Sequence, residues 1–147
     1  MKKFFSTNLD PKVLLSTLWI VVLINLLKAD ILSLYIPGIA EELAAFAGDT
    51  PIPILMLAGA ILVEISTVMI IFSRVLEYRF NRWANIVASL ITLIGIWGAG
   101  STYPHYIFIA TIETICLLLI IWNAWHWTVE SAQFNPVTPT AERVTIS

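Results

Sequence analysis

The sequence predicts an all-α membrane protein: an antiparallel four-helix transmembrane bundle with both termini in the cytoplasm. Three observations carry that expectation. The composition is too apolar for water, four apolar segments reach spanning length, and the basic residues gather on one side of those segments. Of the 147 residues, 59% are hydrophobic and 12% charged, with a mean hydropathy of +0.86. Soluble domains are roughly 45–50% apolar and about 25% charged.

A hydrocarbon core of about 30 Å needs roughly 20 apolar residues of helix. The expected spans are residues 13–36, 53–76, 83–100 and 106–127. The first ends at the breakers Pro37 and Gly38. The second opens on Pro51 and Pro53, tolerated in a first helical turn. The third is short, and Gly95, Gly98 and Gly100 predict an irregular outer end. These spans make one domain over 13–127, with a cytoplasmic N-terminus at 1–12 and a polar, disordered cytoplasmic tail at 128–147 containing Pro136 and Pro139. Met1-Lys2-Lys3-Phe4-Phe5 opens like a signal peptide. The apolar run continues past Lys28-Ala29-Asp30 without a small-residue cleavage site, so it reads as an uncleaved first span.

Orientation follows from Lys and Arg near the span ends. Lys2, Lys3 and Lys12 precede span one, Arg74, Arg79 and Arg82 surround the link between spans two and three, and Arg143 lies in the tail. The other two loops contain no Lys or Arg; the segment 37–52 carries Glu41, Glu42 and Asp49. That asymmetry places both termini inside, in the cytoplasmic (inner) membrane. Trp83, Trp122, Trp125 and Trp127 form the expected cytoplasmic aromatic belt, with Tyr35, Tyr103 and Tyr106 at the other interface.

Composition also excludes functions. A net charge of −2 and the lack of a basic helix face exclude nucleic acid as a partner. The single Cys116 excludes a disulfide framework, a CxxC redox pair and a thiolate cluster. No His/carboxylate spacing suggests zinc or di-iron, so neither a metal nor a cofactor is expected.

Four ionisable residues fall inside the spans: Lys28, Asp30, Glu64 and Glu113. A charge at the bilayer centre costs about 2.5–3.5 kcal/mol or more, so such residues are expected to face the interior and to mark function. Spacing along the spans puts all four in one slab of the outer half, where they cannot all be ionised cheaply. At about 100° per residue Lys28 and Asp30 lie about 160° apart, so one of them has its partner on another span. Asn85, Ser89 and Thr92 form an uncharged polar stripe on span three, suited to interhelical hydrogen bonding. His105 reads as an outer-mouth residue, His126 as interfacial, and Cys116 as a small buried apolar residue.

Leu34-Tyr35-Ile36-Pro37-Gly38, preceded by Trp19 and Asp30, resembles an uncharacterised family of prokaryotic four-helix membrane proteins, classed as a domain of unknown function and loosely DoxX-like. Asn81-Arg82-Trp83-Ala84-Asn85-Ile86, His105-Tyr106-Ile107-Phe108, Ile112-Glu113 and Trp122-Asn123-Ala124-Trp125 extend the resemblance over about residues 14–127. Ser66 departs from the proline that members carry after the Glu-Ile of span two. The resemblance implies the fold and a cytoplasmic-membrane location, and no activity. DoxX-like proteins at large are linked to quinone-associated redox complexes. The sterol-isomerase and sigma-2-receptor group holds apolar amines or sterols with acidic residues in a small bundle. Both comparisons are at the level of fold.

The expected function is binding of a small lipophilic or cationic molecule in an outer-half acidic pocket. Asp30, Glu64, Glu113 and Lys28 form it, with Trp19, Tyr106 and His105 around them; whether Lys28 pairs with Glu64 or Glu113 is open. One alternative is a proton-coupled small-solute transporter using Glu64 and Glu113, although small multidrug exporters have balanced loop charges, unlike this chain. Others are a lipid-modifying enzyme with Asp30 as base, which is less favoured and has no catalytic residue assigned, and an accessory subunit whose charged pair only fixes the fold. Expected partners are the lipid bilayer, the small ligand and further copies in a homo-oligomer.

Overall fold

The structure, a computed structural model, describes residues 10–127; the expected tail at 128–147, most of the N-terminal segment, and Lys2, Lys3 and Arg143 lie outside the described residues. Those residues form five α-helices: α1 (Pro11–Ser33), α2 (Ile39–Ala47), α3 (Ile52–Val75), α4 (Tyr78–Gly98) and α5 (Pro104–His126). Prolines and glycines set most of the boundaries. Pro11, Pro53 and Pro104 stand in the first turns of α1, α3 and α5, where a missing N–H is harmless. Asp10 caps α1, its Oδ1 accepting from the Lys12 N–H at 2.9 Å. Gly38, with φ +85°, makes the left-handed turn that separates α1 from α2.

The segment 37–52, expected to be a loop, contains α2. Nine residues are too few to register as a span. Even so, Ile39, Leu43, Phe46 and Ala47 recur at helical spacing, with Glu41 and Glu42 favourably placed in the first turn. The third span also differs from expectation. Helix α4 starts at Tyr78 rather than at residue 83, because the Asn81 N–H bonds back to the Glu77 carbonyl at 2.8 Å and carries the helix through Arg79 and Arg82.

Helices α1, α3 and α5 are long and apolar enough to cross a membrane. Helix α4 is comparable in length at 21 residues, but Asn81, Arg82 and Asn85 dilute its apolar character. Helix α1 packs on α3 and α5, and α4 on the same two, so these four enclose a common core in the order α1–α3–α4–α5. Neighbours run antiparallel: Ser16 near the start of α1 donates to the Ile70 carbonyl near the end of α3 (2.9 Å). At the other end Ser33 of α1 meets His105 of α5 (3.4 Å). The core is Leu15, Trp19, Val22, Leu117 and Ile120, closed below by Trp127. Ile24, Leu57, Ile94, Phe108 and Leu118 point outward and are exposed. Helices apolar on both faces suit lipid rather than water, which makes this a membrane protein.

Candidate functional site

The polar residues of the core fall into two groups. Near the end where α3 passes into α4, a hydrogen-bonded network is closed on itself. Trp19 Nε1 donates to Asn85 Oδ1 at 2.7 Å, and Ser73 Oγ donates to the same oxygen at 3.1 Å. Asn85 Nδ2 donates to Asn81 Oδ1 (2.6 Å), and Asn81 Nδ2 to the Ser73 carbonyl (2.7 Å). Ser16 lies outside this network, donating to the Ile70 carbonyl and accepting from Arg74 Nε at 3.0 Å. Trp19, expected to line a ligand pocket, is instead fully buried. Its indole reaches diagonally from α1 to α4, so it belongs to the scaffold. The Asn85 end of the expected polar stripe does bond between helices. Thr92 bonds within its own helix to the Ala88 carbonyl at 2.9 Å.

Farther toward the α1–α2 end lies Glu113, only 2% exposed, with its Oε1 unpartnered. Lys28 and Asp30 on α1 are within electrostatic reach of it, but both stay exposed. The buried stripe of α1 runs through Val22, Asn25 and Ala29, so Lys28 and Asp30 flank the seam on either side of Ala29. The expectation that all four ionisable residues turn inward therefore holds for Glu113 alone. Because α1 stops at Ser33, Lys28 and Asp30 also lie farther from the middle of their helix than expected, while Glu113 lies closer to the middle of its own. At ~1.5 Å rise per residue, Lys28 and Asp30 sit roughly 9 and 12 Å from the midpoint of α1, and Glu113 roughly 3 Å from that of α5.

Glu64 is separate from this group. The buried positions of α3 are Ser66, Met69 and Ser73, and Glu64 falls beside that stripe, exposed at the α3–α4 seam. There it borders an open groove of about 460 Å³, lined otherwise by apolar side chains including Ile61, Ile65, Val68, Phe72 and Val87. No residue pattern marks this groove, since it depends on where α3 and α4 part.

The mouth at the α1–α2 end is held by polar contacts. Tyr106 donates to the Ile96 carbonyl at 2.7 Å, with its ring against Gly100, where a Cβ would come within 2.8 Å of it. His105 meets Ser33 and stacks on Tyr103 at 6.0 Å. Tyr103 donates to Glu42 Oε1 at 2.5 Å and so ties α2 to the start of α5. That hydrogen bond, with some burial and the Glu42 charge, raises the Tyr103 phenol above its ordinary value.

A profile described as a family of unknown function, DUF6326, matches residues 1–133. The chain belongs to this family. No curated protein and no solved structure matches it.

Chemically, then, this DUF6326 member offers two separate carboxylates. Glu64 borders an apolar groove open to the surroundings, a shape suited to an apolar body carrying one charge. Glu113 is enclosed among helices and out of reach of a bulky molecule. Among the described residues no group of three His, Cys, Asp or Glu side chains is placed to hold a metal ion.

Proposed function

We propose that this protein crosses the prokaryotic cytoplasmic membrane four times, with α4 as the fourth span and both termini inside, and binds a lipophilic cation in the α3–α4 groove. The cation's apolar body fills the groove and its charge rests against Glu64. One observation carries this reading: a groove of about 460 Å³, apolar except for a single carboxylate near the midpoint of α3. Ligand pockets of small molecules have this size and this sparse polarity. A carboxylate at that depth is costly to leave ionised without a counter-charge, and a lipophilic cation supplies one. On the same helix arrangement we read the family as DoxX-like.

The topology rests on the positive-inside rule. Lys12, Arg74, Arg79 and Arg82 all lie at the end where α1 and α4 begin and α3 and α5 finish. Arg74 bonds Ser16 there, and Arg82 lies 4.9 Å from the Trp125 ring centroid. Glu41, Glu42 and Asp49 lie at the opposite end. Cysteines introduced as Glu41→Cys and Thr102→Cys are expected to react with an impermeant maleimide in intact cells, and Glu77→Cys to stay protected. The reverse pattern overturns the orientation.

The binding test uses tetraphenylphosphonium and the purified full chain in nanodiscs. Saturable binding is expected for the wild type and for Glu113→Gln, with loss of at least about tenfold in affinity in Glu64→Gln. Equal binding by wild type and Glu64→Gln, or none by the wild type, refutes the site.

A further inference from the structure

Among the described residues, three buried side-chain oxygens have no hydrogen-bond partner, and each comes from a different helix: Ser66 Oγ of α3, Ser89 Oγ of α4 and Glu113 Oε1 of α5. Serines and threonines on helices ordinarily satisfy themselves on the carbonyl four residues back. Ser33, Thr67, Thr92 and Thr114 all do so here. Ser66 and Ser89 do not, although both are fully buried. A buried hydroxyl left unpaired costs about 1–3 kcal/mol, so two of them beside an unpaired carboxyl oxygen call for a common explanation.

The helix register brings them into one band. Leu62 of α3 packs against Gly95 of α4. In that antiparallel pairing, one helical turn further along α3 brings Ser66 opposite the stretch between Ser89 and Thr92. Ser33 of α1 meets His105 of α5; eight residues along each helix from that contact, Asn25 comes opposite Glu113. Asn25, Ser66, Ser89, Thr92 and Glu113 are all buried and all belong to the stripes facing the shared core. The Ser16–Ile70 contact joins the two pairs and sets Asn25 opposite Ile61, about five residues beyond Ser66. All four long helices therefore contribute oxygen-bearing side chains to a band roughly 7–8 Å deep around the helix midpoints.

We propose that this band of the core binds a desolvated monovalent cation, sodium above all, held by the Glu113 carboxylate, the Ser66, Ser89 and Thr92 hydroxyls and the Asn25 amide oxygen. Hard cations take oxygen ligands, and these side chains supply them. The charge count selects the valence. Among the described residues Glu113 is the one charged side chain that is buried, so a monovalent ion leaves the site neutral. A divalent ion would leave a net positive charge in an apolar core, which is costly. Lys28 and Asp30, the charged groups nearest on α1, remain exposed and offset one another at a distance. Thr92 Oγ1 donates its proton to Ala88 and keeps its lone pairs for the ion. The site is distinct from the Glu64 groove in position, size and ligand.

The test is thermal unfolding of the purified full chain in detergent, at constant ionic strength made up with choline chloride. Sodium is expected to raise the Tm saturably, as any ligand of the native state does, and calcium is expected not to replace it. Glu113→Gln should abolish the response. Ser66→Ala and Ser89→Ala, which keep the helices intact, should each raise the half-saturating sodium concentration roughly tenfold. Glu64→Gln should respond like the wild type. No response of the wild type to sodium, lithium or potassium overturns the proposal. So does a response that persists in Glu113→Gln, one unchanged in both serine variants, or equal stabilisation by calcium.

Discussion

The two polar regions of the core use the same residue types for opposite ends. Around Asn85 the Trp19 indole, the Ser73 hydroxyl and the Asn81 and Asn85 amides all have partners and close into one network across α1, α3 and α4. Arg82 Nε and Trp127 Nε1, at the same end but outside that network, have none. Around Glu113 a carboxyl oxygen and two hydroxyls have none. A saturated buried network fixes the packing of helices and has no capacity left for a ligand. An unsaturated one contributes little to packing and retains its capacity to bind. In an apolar core the informative residues are thus the ones that fail to pair.

The largest effect should come from the saturated side. Asn85→Ala leaves Trp19 Nε1, Ser73 and Asn81 without their buried partner. Each orphaned group costs about 1–3 kcal/mol, while pairwise couplings measured inside membranes average about 0.6 kcal/mol. We expect a loss of roughly 2–3 kcal/mol in reversible unfolding in mixed micelles. Ser89→Ala, four residues away on the same face, breaks no bond and removes an unpaired hydroxyl, so in sodium-free buffer it should cost nothing and stabilise by up to about 1–3 kcal/mol. Equal losses in the two variants would erase the distinction between the regions.

Gly100 and Gly95 give the next contrast. A Cβ at Gly100 would stand 2.6 Å from the Ile96 carbonyl oxygen and 2.8 Å from the Tyr106 ring. Backbone cannot yield, so Gly100→Ala should displace Tyr106 and cost about 1–3 kcal/mol. A Cβ at Gly95 meets only the end of the Leu62 side chain, at 2.6 Å, which can turn aside. Gly95→Ala should cost less than Gly100→Ala in the same assay; the opposite order would show that the mouth at the α1–α2 end is not braced by Tyr106.

Much of the fold could be read in the chain because proline and glycine mark the ends of long apolar runs. Pro11, Pro53, Pro104 and Gly38 delimit helices within a few residues of expectation. Helix α2 escaped notice because a nine-residue amphipathic turn carries no spanning signal. The early start of α4 was hidden because arginines read as loop. The faces of Lys28, Asp30 and Glu64 differ from expectation for another reason. A helical wheel gives angles between residues but not the direction of the core, and long charged side chains can escape burial by reaching outward. Glu113 was legible because a carboxylate amid the apolar run of α5 has no water to reach. The Trp19–Asn85 bond joins residues 66 positions apart across a diagonal. Asn81 and Asn85, four apart on one helix face, were its one visible trace.

Glu113→Gln sharpens the comparison through a small effect. If Lys28 and Glu113 formed a structural ion pair, removing one partner would cost about 3–5 kcal/mol. Lys28 is exposed and Glu113 Oε1 unpartnered, so without sodium we expect Glu113→Gln to change stability by less than about 1 kcal/mol, since it deletes no hydrogen bond. Lys28→Met added to it should change nothing further. A large loss rescued by Lys28→Met would turn the Glu113 region into scaffold and remove the contrast.

The smallest effect lies outside both regions, at the tie between α2 and α5. Tyr103 donates to Glu42 at 2.5 Å, and this bond, then burial and the Glu42 charge, raises the phenol above its ordinary value of about 10. The folded state therefore holds the phenolic proton more tightly than the unfolded chain does. The tie's contribution is fully present below the unfolded value and is lost as pH rises through the folded one. It should be insensitive to pH around neutrality and weaken only in strong alkali. Tyrosinate absorbance should show the titration of one phenol move to lower pH in Glu42→Gln, where the charge is gone. Tyr103→Phe should leave the Asn85 and Glu113 regions untouched and increase hydrogen exchange only in α2. If exchange rose equally in α4, α2 would be part of the core's support rather than a cover tied on at its edge.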